Sequence, residues 1–503
     1  MYSFPDPKTT DPQERREQRF WEMFPGLLTW GTFLFLIIVS FIAPVPVSVF
    51  LIIYNLYWIF VTIYLAVHLV SAYRKLRQDT KKDWFTILKK QSNWDEYTHL
   101  VILLTYNEPK EVLEQSVRSI QDANYDTSKM IVVVATEERE GKNREIKEKY
   151  LKQKFTGVFR DFIVTTHPDG IEGEMKAKGA NATYAAKEMV KYFKKHRIDQ
   201  EKVILSTFDS DTIAHKEYFA ALAHEFLTVD NPFKHSYQPL PMYHNNIWTS
   251  PAFARVIAVS STFWHMMESI RPNRMVTFSS HSMSFKTLVD VNYWPVNIVS
   301  DDSVIYWKCV DYFNGDYSVI PIHIPVSLDA VDGENIREAI SNQYKQIRRW
   351  AYGIEDLAVV MRSYWKNKQA PFQEKLKRVF DMIYGHYTWA TTSPIIAFFG
   401  WIPILLGGEV FRQTVLSNNL PIYTGRLMTI ALTGLFLTGY LNALLLPKRP
   451  EGVGRGRVVM MFLQWALVPV VTLFLGAIPA IEAQTRLMLG KYLGFWVTPK
   501  NRK

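Results

Sequence analysis

Two short acidic sequences carry side chains suited to metal binding and to acid–base chemistry. The first, Asp209-Ser210-Asp211, directly follows an apolar run at 203–208 that is typical of a buried strand. Two carboxylates one residue apart on an extended segment can converge on one Mg²⁺ or Mn²⁺ ion, which prefers carboxylate and phosphate oxygens. Such pairs also occur in solvated loops. Because open α/β sheets bind ligands at the carboxyl ends of strands, the position favours a metal and ligand site at Asp209 and Asp211.

The second acidic sequence, Ser300-Asp301-Asp302, precedes an apolar, helix-like run at 304–307. A carboxylate placed there can accept a proton from an attacking hydroxyl group, which typically accelerates a reaction about 10²- to 10⁴-fold. The same three residues are well suited to cap the N-terminus of a helix. The two roles are compatible, because a capping position also directs a carboxylate towards a site. We therefore predict Asp302 as a general base.

A third sequence, QIRRW from Gln346 to Trp350, lies on a polar and aromatic stretch at 337–360. We expect this stretch to form a helix along a membrane surface. Tryptophan offers an apolar face on which a sugar ring can stack, and Gln346 and Arg349 can reach sugar or phosphate oxygens. A helix that Trp and Arg merely anchor at a membrane interface has the same composition. Its place after both acidic sequences favours the binding role.

The chain has 503 residues, more than one ordinary domain needs, and its hydrophobicity is unevenly distributed. The formal charge of +10 is concentrated beside apolar segments, which favours anionic lipid over nucleic acid as its partner. The single cysteine, Cys309, excludes an internal disulfide and a Cys-built metal site, and it fits a reducing cytosolic environment. The first 25 residues are polar, so we expect no cleavable signal peptide.

Long apolar runs near both ends of the chain predict membrane-spanning helices, each of which needs about 20 residues to cross roughly 30 Å of hydrocarbon. Two runs, at 27–43 and 47–72, are followed by a basic cluster at 73–77. Basic residues beside a span mark its cytoplasmic side. We therefore expect both the N-terminus and the domain that follows the second span to be cytosolic.

Apolar runs return at 380–406, 427–446 and 458–478. The last run contains Pro469, with Pro479 just beyond it, so a single crossing and a re-entrant or double passage both stay open. The predicted organisation is a polar segment at 1–25, two spans at 26–73, a cytosolic domain at 74–336, interfacial helices at 337–378, three or four spans at 379–482, and a cytosolic tail at 483–503.

The middle of the chain alternates short apolar runs with charged, helix-like stretches. Runs at 99–105, 130–135 and 203–208 are continuous and largely β-branched, as buried parallel strands require. Between the first two runs, residues 111–122 place their apolar side chains on one helical face. A strand, a helix and a strand of these lengths form a βαβ unit. The soluble region is therefore predicted to be an α/β domain with a mainly parallel sheet.

Taken in order and framed by membrane spans, these sequences resemble the membrane-embedded, processive family-2 glycosyltransferases of the cellulose synthase, hyaluronan synthase and chitin synthase type. Asp209 and Asp211 match the DxD motif of that family. Asp302 takes the place of the catalytic base in its Thr/Ser-Glu-Asp motif, with Asp301 where the family usually has Glu, and QIRRW matches QxxRW in full. The resemblance implies an α/β GT-A-type glycosyltransferase domain inserted between N-terminal and C-terminal transmembrane helices.

Two further sequences extend the resemblance. Thr105, Tyr106 and Glu108 belong to a TYNE sequence, which in the family forms a turn whose Thr, Tyr and Glu face the uridine. The tail fits FxVTxK, the gating loop of cellulose synthases that closes over the nucleotide, and a basic chain end without that role is the alternative. A gating loop would make the tail cytosolic and would favour a double passage of the last apolar run. Its matching residues are Phe495, Val497, Thr498 and Lys500.

Other positions depart from the family pattern. The second strand ends at Glu137 where the family has a donor-binding Asp, and we expect Glu137 to take its place. Lys178 lies in a stretch similar to the family's Lys-Ala-Gly-Asn sequence near the nucleotide, with the residue order altered. His281 precedes the catalytic acid on the acceptor side. It is expected to contact the acceptor or leaving group, and a histidine satisfied within its own loop is the alternative.

The resemblance implies an inverting hexosyl- or N-acetylhexosaminyltransferase that moves a sugar from a nucleotide sugar, most often a UDP-sugar, to a growing β-linked polysaccharide. It implies Mg²⁺ or Mn²⁺ as cofactor, held by Asp209 and Asp211. The expected partners are the donor, a polysaccharide or lipid-linked acceptor, membrane lipid and an export partner as yet undefined, without nucleic acid. The expected location is the plasma (inner) membrane, with multiple spans and a cytosolic catalytic domain. The expected acceptor-binding residues are His281, Asp301, Gln346, Arg349 and Trp350.

Three alternatives stay open at the level of sequence. A non-processive enzyme that glycosylates a lipid carrier or glycolipid needs the same acids, but no channel and usually no QxxRW. A catalytically inactive membrane scaffold would be expected to have lost Asp209, Asp211, Asp302 or Trp350. A nucleotide-driven transporter is disfavoured, because no Walker sequence occurs. Aromatic residues in the spans can line a channel or form a lipid-facing belt.

Overall fold

The computed structural model describes residues 4–500, and two long helices open it, α1 (Pro12–Ile42) and α2 (Pro44–Asp79). Asp11 caps α1 by accepting hydrogen bonds from two backbone N–H groups of its first turn. Pro44 begins α2, where a missing N–H group costs nothing, so a single residue separates the helices. α1 begins well before the apolar run that predicted it, because its polar first turns pack against the C-terminal region.

Within the described residues, eight strands form one mixed sheet in the order β3-β2-β1-β4-β7-β6-β8-β5. The half from β3 to β4 is parallel and its central strands are fully buried, as the β-branched runs predicted. The other half contains antiparallel pairs on either side of β7 and at β5. The strands are β1 (Thr98–Leu104), β2 (Met130–Glu137), β3 (Asp161–His167), β4 (Val203–Asp209), β5 (Ile213–Ala214), β6 (His235–Met242), β7 (Ser282–Ser284) and β8 (Ser318–Ser327).

Helices cover both faces of this sheet, so it has an apolar core on each side. On one face, α4 buries Val112, Leu113, Val117 and Ile120, the apolar positions that its sequence spacing predicted. The helices of this domain are α3 (Trp84–Leu88), α4 (Lys110–Gln121), α5 (Lys142–Phe155), α6 (Lys178–His196), α7 (Tyr218–Thr228), α8 (Ala252–Ser269), α9 (Phe285–Asp290) and α10 (Asp301–Tyr312).

After the sheet, α11 (Ile336–Ala351) and α12 (Asp356–Arg362) lead to the C-terminal helices. Asn335 caps α11, and the helix carries polar and apolar faces as an interfacial helix does. The remaining helices are α13 (Phe372–Phe398), α14 (Ile402–Leu406), α15 (Gly408–Arg412), α16 (Val415–Leu445), α17 (Arg455–Leu463), α18 (Val468–Thr472) and α19 (Ile478–Met488).

Five helical segments among the described residues are long and apolar enough to cross a membrane. They are Pro12–Ile42, Pro44–Asp79, Phe372–Leu406, Val415–Leu445 and Arg455–Met488. The predicted membrane regions at both ends of the chain are therefore present in the structure.

The last of these segments does not behave as a simple crossing. Near its start, Arg457 donates a hydrogen bond to the carbonyl of Trp248 in the soluble domain, at 3.0 Å. Near its end, Glu482 forms an ion pair with Arg348 of α11, at 2.7 Å. Between these points the helix is interrupted by a π-helical turn at Leu473–Ala477. Both ends of the segment therefore contact other parts of the described chain, and a re-entrant or double passage stays a prediction.

Candidate active site

The centre of the site lies where β1 and β4 end side by side. Asp209 is the last residue of β4 and pairs in register with Leu104, the last residue of β1. Asp211 follows two residues later and is completely buried. The TYNE turn therefore leaves the sheet beside the acidic pair, at the edge where α/β folds bind ligands.

Lys178 joins two of the predicted acids. Its ammonium nitrogen lies 2.8 Å from Asp209 Oδ1, and 2.9 and 3.0 Å from the two carboxylate oxygens of Asp302. Burial raises the pKa of Asp209, but the ammonium groups of Lys178 and Lys500 outweigh it and hold that pKa below its ordinary value. Burial likewise opposes the charge on Lys178, yet its carboxylate partners raise the pKa of the lysine. The fold thus brings Asp209 and Asp302 to one charged centre.

A glycine allows this close approach. Lys178 is the first residue of α6, and a Cβ atom at Gly179 would lie 2.9 Å from both the Asp301 Cβ atom and the Pro295 carbonyl oxygen. Real Cβ atoms do not approach other heavy atoms so closely. The N-terminus of α6 therefore points its partial positive charge at the carboxylates that begin α10.

Asp301 is buried behind Asp302. Burial, followed by the charge of Asp302, raises the pKa of Asp301 to about 8, while Lys178 and Arg349 act in the opposite direction. Asp301 therefore keeps its proton under conditions in which an exposed carboxyl group loses it. Only one negative charge then has to be accommodated at the Asp301–Asp302 pair.

The chain's tail reaches the acidic pair. Lys500 places its ammonium nitrogen 2.6 Å from Asp211 Oδ2, and the Asp329 backbone N–H donates to the same oxygen at 2.8 Å. Burial raises the pKa of Asp211, and Lys500 partly offsets that effect. Thr498 is buried and Val497 half-buried, so the tail packs against the domain as a continuous segment.

Three residues of the QIRRW sequence share the face of α11 that is turned to the site. Arg349 lies over the Phe495 ring at 4.9 Å, which connects α11 to the tail. The ring of Trp350 lies 6.3 Å from that of Tyr243, and Gln346 is buried with its carbonyl oxygen accepting from Gln343 at 3.2 Å. The spacing i, i+3 and i+4 puts Gln346, Arg349 and Trp350 on one side of the helix.

A sequence model of the family described as Glycosyl transferase family group 2 matches residues 204–478, more than half of the chain. The chain belongs to this family. The predicted α/β GT-A-type domain, flanked by membrane helices at both ends, is thereby confirmed. Membership of the processive, cellulose-synthase-like branch stays a prediction. No curated protein matches the sequence.

Solved structures with a similar fold include glycosyltransferases of distant sequence. The mannosyltransferase PcManGT from Pyrobaculum calidifontis, in complex with GDP-Man and Mn²⁺, is 13% identical with a TM-score of 0.41, covering 73% of this chain and 99% of its own. S. aureus TarS 1–349, in complex with UDP-GlcNAc, is 13% identical with a TM-score of 0.37, covering 71% of this chain and 94% of its own.

In this family-2 glycosyltransferase, the TYNE turn is held together by Glu108. Its carboxylate accepts hydrogen bonds from Thr105 Oγ1 at 2.8 Å and from the Tyr106 backbone N–H at 2.6 Å. Burial raises the pKa of Glu108, and the hydrogen bonds from Thr105 and Tyr106 offset that effect only in part. The structure therefore gives Glu108 a role within the turn, while the ring of Tyr106 projects outward.

Glu137 reaches this turn through an arginine. Arg139 lies 2.5 Å from Glu137 Oε2 and stacks its guanidinium over the Tyr106 ring at 3.7 Å. Arg139 was not among the predicted residues, since the sequence offers no motif for it. The stack brings Glu137 and Tyr106 together as one candidate surface for a base or ribose.

His281 is buried beside the acids. Its Nδ1 atom lies 2.9 Å from the Phe278 carbonyl, whereas Nε2 has no hydrogen-bond partner among residues 4–500. Burial lowers the pKa of His281, which favours the neutral ring, and Nδ1 carries the proton that it donates because a carbonyl oxygen can only accept. Nε2 is then available as an acceptor.

Several residues that complete the glycosyltransferase site carry no sequence signal. Ser279 donates a short hydrogen bond to Asp209, and Thr277 donates to the Asp302 carbonyl at 2.6 Å. Asn245 donates to the Asp211 carbonyl and to Asp329 Oδ1, both at 2.9 Å. These contacts are made across distant segments, so only the fold reveals them.

The acidic pair fits a hard divalent cation in part. Asp211, which is buried, and Asp209, which is half-buried, supply carboxylate oxygens, the donors that Mg²⁺ and Mn²⁺ prefer. Among the residues the structure describes, no group of three or more His, Cys, Asp or Glu side chains is arranged to hold a metal ion. This set suits an ion that takes its remaining ligands from a diphosphate and water, as Mg²⁺ commonly does.

Proposed function

We propose that this chain is an inverting membrane glycosyltransferase that transfers a sugar from a UDP-sugar to a growing β-linked polysaccharide. One observation carries the proposal: Asp209, at the donor edge of the sheet, and Asp302 lie within 3.0 Å of the same lysine nitrogen. Arg349 of the QIRRW helix is close enough to influence the pKa of Asp301. Donor-binding and acceptor-binding elements therefore converge on the predicted base.

The reaction is one in-line displacement. The acceptor hydroxyl oxygen forms a bond to the anomeric carbon while the bond from that carbon to the diphosphate oxygen breaks and its electron pair leaves with the nucleotide. Asp302 accepts the hydroxyl proton, and attack from the opposite face inverts the anomeric configuration. A protonated Asp301, which its raised pKa favours, would keep the base from facing a second negative charge.

Positive charge for the leaving group is already present in the protein. Lys178 lies between the base and the donor edge, and the N-terminus of α6 points at the same place. Asp209 and Asp211 would hold Mg²⁺ or Mn²⁺ there, and the bound ion would neutralise charge that develops on the diphosphate. Lys500 would leave Asp211 as the ion and donor enter.

The acceptor is proposed to rest against α11, with Trp350 beneath a sugar ring. The tail, which contacts Arg349 through Phe495, is proposed to cover the nucleotide. Export of the product between the membrane helices is part of this proposal. Trp389 is partly buried against an apolar core and is proposed to face such a path, whereas Trp401 is 55% exposed and suits a lipid-facing belt.

The catalytic domain is proposed to face the cytosol. Arg74, Lys75 and Arg77 lie at the end of α2 that meets the domain. Basic residues at that position retain a loop on the cytoplasmic side. A cytosolic domain would also have direct access to nucleotide sugars.

The test is sugar transfer by purified full-length protein in detergent, using a panel of radiolabelled UDP- and GDP-sugars with Mn²⁺, Mg²⁺ or EDTA. We expect nucleotide release with one UDP-sugar, loss of release in EDTA, and label in a product that a β-specific glycosidase degrades. Label that partitions into organic solvent would instead identify a lipid carrier as acceptor. A protein that shows no turnover and binds no nucleotide would overturn the proposal and favour a scaffold.

A further inference from the structure

Two carboxyl groups that follow the QIRRW helix lie directly behind the catalytic acid sequence. Glu355 ends the short 3₁₀ helix Tyr352–Glu355, and Asp356 begins α12, where it is only 2% exposed. No part of the proposed reaction uses this carboxyl pair (Glu355 and Asp356). Asp356 is buried and Glu355 half-buried, and an acid removed from water is costly unless the groups around it hydrogen-bond to it.

Glu355 is bonded to the residues that precede Asp301. Its Oε1 atom accepts hydrogen bonds from the backbone N–H groups of Val299 and Ser300, at 2.9 and 3.0 Å. The Ser300 hydroxyl lies 2.9 Å from the same oxygen. One carboxyl oxygen thus fixes both the backbone and the side chain at the start of α10.

Asp356 binds the serines on both sides of the acidic sequence. Its Oδ1 atom is 2.5 Å from Ser300 Oγ, and its Oδ2 atom is 2.6 Å from Ser303 Oγ. Ser300 occupies the N-cap position of α10, yet its side chain makes no capping hydrogen bond. The Ser300 hydroxyl is therefore bonded to the carboxyl pair instead of capping the N-terminus of α10, the role that the sequence suggests.

Hydrogen counting shows the state of this network. Ser300 has one hydroxyl hydrogen, but its oxygen lies within hydrogen-bond distance of both carboxyl groups. A proton held by one of the two carboxyls satisfies the second contact. The raised pKa values of Glu355, about 8, and Asp356, about 7, for which burial is the largest cause, agree with a shared proton.

We propose that Glu355 and Asp356 are positioning residues that lock Asp302 to the QIRRW helix, so that base and acceptor-binding surface keep one fixed spacing. Ser300 and Ser303 flank Asp301 and Asp302. The carboxyl pair is hydrogen-bonded to both serines. Thr277 and Lys178 hold Asp302 from the opposite side. This inference rests on the proposed function, since it concerns the position of the proposed base.

The experiment compares Glu355→Leu and Asp356→Leu with Glu355→Gln and Asp356→Asn. It uses full-length protein and the donor that the transfer assay identifies. The amides keep oxygen acceptors and mimic a protonated acid, so we expect turnover close to that of the wild type. The leucine variants leave the serines and N–H groups without acceptors. We expect kcat to fall about 10- to 100-fold, as a displaced catalytic group does, with donor KM and UDP affinity unchanged.

Ser303→Ala removes the hydrogen bond to Asp356 without adding bulk. It therefore tests the positioning role if the leucine variants fail to fold. It should lower kcat with KM unchanged. Glu145→Leu, at a glutamate whose side chain is 68% exposed, is the matched control and should match the wild type. Folded leucine variants with wild-type kcat, or amides as impaired as leucines, overturn the inference while the proposed function stands. A wild-type protein without turnover overturns the proposed function itself.

Discussion

Two lysines, far apart in the sequence, neutralise the acids of the site. Lys178 pairs with Asp209 and Asp302, and Lys500 pairs with Asp211. Taking a carboxylate out of water is costly unless an opposite charge accompanies it. The lysines therefore stabilise the acids in the free protein, and Lys500 does so at the place where a divalent cation would bind.

This arrangement predicts an effect on cation binding. In Lys500→Met, Asp211 loses its positively charged partner. The entering cation then no longer has to displace the lysine ammonium group from Asp211. We expect Mn²⁺ to bind about tenfold more tightly in the absence of donor, a difference of about 1.4 kcal/mol. Isothermal titration with full-length protein measures it, beside Lys491→Met at an exposed tail position. Unchanged or weaker Mn²⁺ binding would contradict the competition.

The sequence predicts Asp209, Asp211 and Asp302 as candidate acids, because their spacing and order form recognisable motifs. It does not predict Asn245, Ser279, Thr277 or the carboxyl pair. Their roles depend on hydrogen bonds between segments that meet only in the folded chain. Asp302 illustrates the limit, since its side-chain partner Lys178 lies 124 residues away.

At the scale of elements, the site depends on how closely α6 approaches α10. Gly179 permits that approach, because a Cβ atom there would meet Asp301 and Pro295 at 2.9 Å. The N-terminus of one helix can then face the acids that begin the other. Any side chain at this position would push the two elements apart.

Gly179→Ala is therefore expected to lower both stability and turnover. Overpacking of this kind costs about 1–3 kcal/mol, which should appear as a lower Tm in a thermal shift assay. The matched control is Gly385→Ala within α13, where no atom lies within 4 Å of the added Cβ. There we expect Tm to be unchanged or higher, because alanine favours helix. Equal Tm changes in the two variants would show that the close approach is not required.

The carboxyl pair makes the folding stability of these elements depend on pH. The folded protein holds the pKa values of Glu355 and Asp356 at about 8 and about 7, well above those of exposed acids, so it binds more protons than the unfolded chain. Stability from this source is complete below about pH 4 and is lost as the pH rises to about 8.

The expected result is a smaller fall in Tm between pH 5.5 and 8.5 for Glu355→Gln/Asp356→Asn than for the wild type, because the amides do not ionise. Thermal unfolding in one detergent at matched ionic strength measures the difference. Identical slopes for the two proteins would mean that the pair is charged in the folded state.

The parallel half of the sheet could be predicted from its apolar runs, whereas the antiparallel half could not. β5 has two residues and β7 three, too few to show alternation. β6 contains Pro239 and Pro241, and prolines in a sequence are more typical of a loop than of a strand. Tertiary pairing fixes these strands, so their sequence alone carries little signal.

At the scale of the molecule, the first and the last parts of the described chain both contact the catalytic domain. Asp6 accepts a hydrogen bond from Asn297, and Lys500 reaches Asp211. An even number of crossings is required when both ends lie on one side. Helices α1, α2, α13 with α14, and α16 would supply such a number, so we predict that the segment Arg455–Met488 returns to its own side.

Labelling of single cysteines tests this topology, after Cys309 has been replaced. Glu451→Cys and Lys491→Cys, on either side of the last segment, should react with an impermeant maleimide only from the face that carries the domain. Gln413→Cys, between α15 and α16, should react only from the opposite face. Each of the three positions is exposed. Labelling of Lys491→Cys from the opposite face would establish a complete fifth crossing.

The most direct test of the account is turnover by Asp302→Asn beside Asp301→Asn, with UDP affinity measured on the same samples. If Asp302 is the base, its variant should bind UDP normally and lose about 10²- to 10⁴-fold in kcat, whereas Asp301→Asn, which mimics the protonated acid, should lose far less. Wild-type kcat in Asp302→Asn would contradict the assignment of the base and, with it, the proposed mechanism.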